Sequence, residues 1–266
     1  MAQIQARPAA TIVLIRNENH VLKILMLRRS SSVAAASGAH VFPGGRVDEM
    51  DAEVVDRGLF IGRDQDQAAH RLDLAGGALE YYCAALRELF EEAGLLLVLD
   101  TNGRRVEVRQ EQLNGWREEL LDRRVSWPGL LDREGLRLDV GDVEYLAHWV
   151  TPEGRPRRFD TRFFVAGAPE GQVVLVDDSE IVEHVWVTAA TALERYESGE
   201  WSMLVPTVRT LRGLLSYENV GDVLASASDA TVRRIQPREI ERDGRVVVVV
   251  PGESDGDAGA AETTPR

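Results

Sequence analysis

The chain is poor in several things, and each shortage excludes something. It has one cysteine, Cys83, among 266 residues. No intramolecular disulfide can form, so a reducing compartment is the simple expectation, and Cys83 reads as a core thiol in a helical pattern. Positive charge is in deficit: 31 Lys and Arg against 44 Asp and Glu give a formal charge of -13. That balance argues against a nucleic-acid partner, which needs a basic surface. It leaves room for an anionic small molecule bridged to the protein by metal. His40 and His184 have no His or Cys partners at zinc-site spacing, so a structural zinc is not expected. No apolar run is long enough to cross a membrane, and residues 9–15 lack the charged lead of a secretion signal. The final Thr263-Thr264-Pro265-Arg266 matches no address signal. The expected location is therefore cytoplasmic, with no membrane partner.

What is present is a globular mixture, 44% hydrophobic and 28% charged, too apolar for a disordered chain. Residues 10–15 and 21–27 read as a hairpin around the polar turn at 16–20, and His40-Val41-Phe42 as a short strand that Pro43-Gly44-Gly45 ends sharply. Residues 47–77 are irregular and acidic, an excursion with one short helix. Leu79 to Ala93 is a clear helix capped by Gly94. Further helices are expected over 110–121, 127–134, 189–198 and 206–215. Strands are expected over 95–99, 143–150, 158–165, 173–176 and 183–187. Segments 233–240 and 245–250 pair through Arg242-Asp243-Gly244, and residues 251–266 form a disordered tail. The reading is one domain over 8–250, with an insertion around 52–78 and an extension from about 205. Its class is α/β (α+β).

The helix over 79–93 carries the chemistry. At about 100° per residue, Leu79, Tyr82, Leu86, Leu89, Phe90 and Ala93 share one face. Glu88, Glu91 and Glu92, spaced i, i+3, i+4, share the other and reach a common point. Three anions near a helix C-terminus repel one another and oppose the dipole. A hard divalent cation with oxygen ligands reverses that penalty. Arg87 reaches Glu91 at i+4 and can orient it. Alone, such a face is commonly a solvated acidic surface. Upstream, Gly44 and Gly45 would let a backbone carbonyl approach a metal unobstructed.

Together these pieces resemble the Nudix hydrolase signature, a Gly-Gly loop followed by a helix reading Arg-Glu-hydrophobic-x-Glu-Glu-x-Gly-hydrophobic. The helical half here is Arg87-Glu88-Leu89-Phe90-Glu91-Glu92-Ala93-Gly94-Leu95. The gap from Gly45 to Arg87 is longer than in the common signature, so an insertion interrupts it. For the acid between the two halves, counting from Gly45 reaches Asp51, while counting back from Arg87 reaches Leu79, beside Glu80; Asp51 is favoured. The arrangement is similar to the Nudix subgroup that includes the nineteen-type peroxisomal coenzyme A diphosphatase. Residues 41–48 and 84–95 carry that likeness, joined downstream by 148–152, 157–164, 177–186 and 204–207.

The resemblance implies a mixed curved β-sheet sandwiched between helices, with extra C-terminal helices. It implies hydrolysis of coenzyme A or acyl-coenzyme A to 4'-phosphopantetheine, or its acyl form, and 3',5'-adenosine bisphosphate. Mg²⁺ or Mn²⁺ would be held by Glu88, Glu91 and Glu92, the carbonyl of Gly44 or Gly45, and Asp51. Glu91 and Glu92 would be direct ligands, with Glu88 a ligand or base. A base from a late loop would be Glu180 or Glu183, with Asp178 behind them. Arg28, Arg158 and Arg162 are candidates for the substrate's phosphates, and Arg29 is an equal neighbour of Arg28. Arg158 and Arg162 share a strand face that Arg157 does not. Trp149, Phe159 and Trp186 are aromatic enough to stack on adenine, although core packing is the commoner role. Alternatives with the same chemistry are ADP-ribose, NADH, nucleotide sugars, dinucleoside polyphosphates and capped RNA. A different class of reading is a non-catalytic nucleotide-binding regulatory domain. The insertion is placed either to cap the substrate or to form a homodimer contact.

Overall fold

Two apolar runs around a polar turn fold as a hairpin. In the computed structural model, which describes residues 4–31, 36–176, 180–242 and 245–252, β1 (Arg7–Glu18) pairs antiparallel with β2 (Val21–Arg29), Ile15 opposite Ile24. Next, β3 (His40–Val41) pairs with β2 and β4 (Gly44–Arg46) with β1. The glycine pair is thus not the sharp turn expected but a strand, with Gly44 opposite Thr11 and Gly45 opposite Ala10.

The segment between Gly45 and Leu79 is more ordered than its acidic sequence implies. It contains α1 (Glu49–Asp56), β5 (Phe60–Ile61) and α2 (Gln65–Leu72). Several of its acids are helix caps: Asp48 and Asp64 each close a capping box, with Asp51 and Gln67 respectively at the third helical position. Then comes α3 (Leu79–Ala93), with the predicted bounds, ended by Gly94 at φ +68°. The expected strand after it is shorter, β6 (Val98–Asp100). Beyond α4 (Gln110–Leu121) and α5 (Trp127–Arg133), an unforeseen β7 (Leu136–Asp139) pairs with both β5 and β6 and ties the insertion to the rest of the chain.

The remaining strands of the main sheet are β8 (Glu144–Val150), β9 (Phe159–Gly167) and β10 (Ile181–Val187). Residues 173–176 form a loop rather than a strand: the Gln172 side chain bonds both backbone groups of Leu96, and Leu175 N–H donates to Ala93. The chain continues through α6 (Ala189–Glu197), α7 (Val205–Leu214), an unforeseen α8 (Val220–Asp229), β11 (Arg234–Ile235), β12 (Arg238–Arg242) and β13 (Arg245–Val249). Asn219 caps α8 by accepting from Asp222 N–H. The expected pairing of 233–240 with 245–250 forms in part: β12 pairs with β13, while residues 234–235 pair with β8 instead. The Asp243-Gly244 turn, and the tail from 253 on, lie outside the described residues.

The main sheet runs β10-β2-β1-β9-β8-β11. β1 is parallel to β9 and antiparallel to β2, so the sheet is mixed. Alternation along each strand sends side chains to two cores. Ile12, Leu14, Leu25, Leu27 and Phe164 face α3. Val13, Ile15, Ile24, Met26 and Val165 face α6, α7 and α8. Helices on both faces of a mixed sheet match the architecture expected.

Candidate active site

The apolar face of α3 anchors the site. Leu79, Tyr82, Leu86, Leu89, Phe90 and Ala93 are all essentially buried. Each large side chain among them contributes about 1.5–3 kcal/mol, enough to offset crowding of charge on the opposite face. That face is not solvated as a free helix would have it: Arg87 and Glu92 are themselves buried, and the helix packs on β1, β4 and α1. At its C-terminal end Arg117 of α4 donates to the carbonyls of Phe90 and Glu91, satisfying acceptors the helix leaves open. Nothing at 79–93 signals that partner.

β4 explains the glycines. A Cβ on Gly44 would lie 2.6 Å from the Ala10 carbonyl oxygen, and one on Gly45 would overlap the Glu88 carboxylate. Gly45 lets Glu88 touch the backbone, and Gly44 lets β4 lie close against β1, because neither position has a side chain. Gly44 N–H donates to Glu92 Oε2 at 3.0 Å.

Arg87 organises the acids. Its Nη1 donates to Glu88 Oε1 at 2.8 Å and reaches Glu91 at 3.3 Å, the i, i+4 contact expected. Its Nη2 also donates to the Arg46 carbonyl at 2.8 Å. The far side of the guanidinium is gripped by Asp51, Nε to Oδ1 at 2.9 Å and Nη2 to Oδ2 at 3.0 Å. The resemblance places Asp51 among the metal ligands. Here it has no exposed surface, and its carboxylate is taken up by Arg87 and by Asp48 N–H; the geometry makes it the arginine's partner instead. Burial works against the Arg87 charge, but the Asp51 hydrogen bond and the charges of Glu88, Asp51 and Glu91 outweigh it and hold its pKa above the ordinary value.

The three glutamates occupy a partly buried, anionic place. Burial, then the charges of Glu91 and Asp51, push Glu88 up to about 7 against the pull of Arg87. Burial and the Glu88 charge push Glu92 up to about 8, opposed by Arg29 and Gly44 N–H. Burial raises Glu91 as well. Among the described residues no three acids already converge on one point in the manner of a closed metal site. Glu88 and Glu91 lean on Arg87, and Glu92 on Arg29 and Gly44. The donor set nevertheless fits a hard divalent cation: buried carboxylate oxygens with raised proton affinity beside an unobstructed Gly-Gly backbone.

The adjacent arginines of β2 part company. Arg29 follows Leu25 and Leu27 onto the α3 face and bridges Glu92, at 3.3 Å, and Glu180, at 2.7 Å. Arg28 follows Ile24 and Met26 to the other face, where it meets Glu183 at 2.7 Å. Of the two late-loop acids, Glu180 is therefore connected to the glutamate trio and Glu183 is turned away from it; Asp178 lies outside the described residues. Arg162 of β9 lies on the α3 face and Arg158 just precedes the strand; both are buried. Arg158 donates to the carbonyls of Thr151 and Ile4. Arg162 pairs with Asp160 at 3.1 Å and lies over the Tyr81 ring, and Asp160 also meets His148 at 2.6 Å. Backbone carbonyls hold Arg158, whereas the buried Nε of Arg162 has no hydrogen-bond partner among the described residues. Trp149 packs in the core opposite α3, and Trp186 lies under the Arg16 guanidinium.

The family model described as the NUDT19 Nudix domain matches residues 57–214, which contain α3 and the late strands. Two curated relatives are acyl-coenzyme A diphosphatases NUDT19. The Xenopus laevis protein is 25% identical over 274 residues, covering 90% of this chain and 72% of that one. The Homo sapiens protein is 27% identical over 235 residues, covering 76% and 62%. The match thus spans only about two thirds of those relatives' length. A solved structure, the NUDIX hydrolase from Alicyclobacillus acidocaldarius, superposes with a TM-score of 0.67 at 28% identity, covering 85% of this chain and 99% of that one.

Proposed function

This chain belongs to the Nudix hydrolases of the NUDT19 type, and from that membership we propose that it hydrolyses the diphosphate of coenzyme A or an acyl-coenzyme A, using Mg²⁺ or Mn²⁺ held by Glu88, Glu91 and Glu92. The observation that carries the reading is the concentration of three raised-pKa glutamates on one helix face, with Glu88 and Glu92 set against the Gly44-Gly45 backbone. The substrate class rests on the printed names of the relatives.

A bound divalent cation would neutralise charge developing on the diphosphate oxygens and ease deprotonation of water. The chain's own groups do the rest. Glu88, Glu91 and Glu92 supply the compensating negative charge. Arg87, fixed by Asp51, keeps Glu88 and Glu91 from swinging away. Glu180, half-exposed and tethered by Arg29, is placed to take the proton of the attacking water; Glu88 is the other acceptor. The water oxygen bonds to one phosphorus as the bridging P–O bond breaks, giving 4'-phosphopantetheine and 3',5'-adenosine bisphosphate. The bridge from Arg29 to Glu92 and Glu180 supports Arg29, rather than Arg28, as the cation that meets the substrate's phosphates.

A panel of coenzyme A, acyl-coenzyme A, ADP-ribose, NADH and a dinucleoside polyphosphate, run with Mg²⁺ and Mn²⁺ and scored by product identity, tests the reading. Release of 3',5'-adenosine bisphosphate from coenzyme A or its thioester as the fastest reaction is expected. Faster turnover of ADP-ribose or NADH would overturn the substrate assignment and leave the chemistry standing.

A further inference from the structure

Arg87 and Arg29 both serve the carboxylates around the C-terminal half of α3, and they are held very differently. Arg87 is locked. It is buried, both oxygens of Asp51 grip it, and its Nη2 also donates to the Arg46 carbonyl. Arg29 is fixed only by its backbone, whose N–H in β2 donates to the Ala39 carbonyl. Among the described residues its guanidinium meets two carboxylates and no carbonyl. One is Glu180, at 2.7 Å and 51% exposed; the other is Glu92, at 3.3 Å and 8% exposed. The guanidinium thus stands between an acid on the solvent side and a buried one.

Glu92 has a partner on each oxygen. Its Oε2 accepts from Gly44 N–H at 3.0 Å, and its Oε1 accepts from Arg29 Nη2. The Gly44 N–H cannot turn away, because β4 is paired with β1 at Thr11. The long arginine side chain can, by rotation about its own bonds. Glu92 therefore frees an oxygen for a divalent cation most readily by parting from Arg29. Electrostatics acts in the same direction, since a dication and a guanidinium on one carboxylate repel each other. The exchange leaves the buried carboxylate paired throughout, as burial of its charge requires.

We propose that Arg29 is a metal-gated substrate ligand: it yields Glu92 Oε1 when a divalent cation binds, stays tethered to Glu180, and turns the freed Nη2 to the anionic substrate. The gate presupposes Glu92 as a metal ligand, as in the proposed hydrolysis. Linkage makes it reciprocal, so an anion that captures the released guanidinium tightens the cation. A diphosphate then meets this arginine chiefly when the cation is already in place.

Two measurements on the full chain test the gate, and neither reads activity. The first is calorimetric titration of Mg²⁺ into the wild type, Arg29→Met and Arg28→Met at about pH 9, chosen to keep the carboxylates ionised. Without the competing guanidinium, Arg29→Met should bind Mg²⁺ about tenfold more tightly, the scale of one charge-assisted hydrogen bond. Arg28 meets Glu183 instead, so Arg28→Met should match the wild type. The second is labelling of arginines by phenylglyoxal, read residue by residue with mass spectrometry. Mg²⁺ should speed modification of Arg29 several-fold over the rate in chelator and leave that of Arg28 unchanged. Arg29→Met binding Mg²⁺ no more tightly than the wild type, or Arg29 labelling that Mg²⁺ slows or leaves unchanged, would overturn the gate and leave the metal site standing. No Mg²⁺ binding by the wild type would overturn the gate and the metal site together.

Discussion

The two ends of α3 pose the same physical problem and solve it differently. Near Tyr81, at the N-terminal end, buried Arg162 has an anion of its own in Asp160, which His148 also meets. Near the C-terminal end, among the described residues, Asp51, Glu88, Glu91, Glu92 and Glu180 share two cations, Arg87 and Arg29. At the first end the arginine charge meets its own carboxylate, and the second carries a surplus of carboxylates, several of them buried. A closed pair holds a fold together. A surplus kept at the cost of raised carboxylate pKa values needs a cation from outside. The lesson is that a charged residue in a core becomes informative when its partners are counted.

The largest effect should come from the surplus end. Glu92→Gln is expected to lower kcat by about 10²–10³-fold or more, the scale of losing one preorganised electrostatic group, while leaving the circular dichroism unchanged. Arg162→Met should do the reverse, costing about 1.5–3 kcal/mol of stability by loss of a charged hydrogen bond and leaving kcat of the folded fraction within twofold. Denaturant titration read beside steady-state kinetics separates the two, and equal catalytic losses would erase the contrast. Asp51→Ala should behave as the broken half of a buried pair, costing about 3–5 kcal/mol. If it lowered metal affinity without lowering stability, Asp51 would be a ligand after all.

How much of this the sequence disclosed follows from distance along the chain. The helix was legible to the residue, because fifteen positions of periodic apolar spacing and a C-terminal glycine are strong local signals. The insertion was not: its helices are eight residues each, too short for periodicity, and its acids looked like a charge run when several are caps. The grip of Asp51 on Arg87 links residues far apart in the chain, and no local pattern encodes it. The two arginines of β2 show a subtler limit. Alternation says that Arg28 and Arg29 face opposite ways, but both faces of β2 are apolar, so alternation alone does not say which one meets α3. α8 was missed because its glycine and serines make a weak helix pattern, although Asn219 with Asp222 at the third position was a usable start signal.

Smaller effects sharpen the comparison further. Arg29→Ala is expected to lower kcat/KM about tenfold or more, and Arg28→Ala by less than twofold, since only Arg29 meets Glu92. Smallest is a pH effect on the metal-free protein. Glu88 and Glu92 are raised to about 7 and 8 in the folded state from an ordinary value near 4.5. Their neutral forms are favoured by folding, so their contribution is fully present below pH 4.5 and is lost as pH rises through 7 to 8. Thermal midpoints in chelator should therefore fall between pH 5 and pH 8.5. Glu92→Gln should flatten part of that fall, whereas Asp160→Asn should leave its slope unchanged.

The surplus of buried carboxylate is most directly tested by calorimetric titration of Mn²⁺ into the full chain and into its Glu92→Gln and Asp160→Asn variants. Saturable binding by the wild type and by Asp160→Asn, weakened at least tenfold in Glu92→Gln, is the predicted result. An isotherm for Glu92→Gln that overlays the wild type, or none in the wild type, would contradict it.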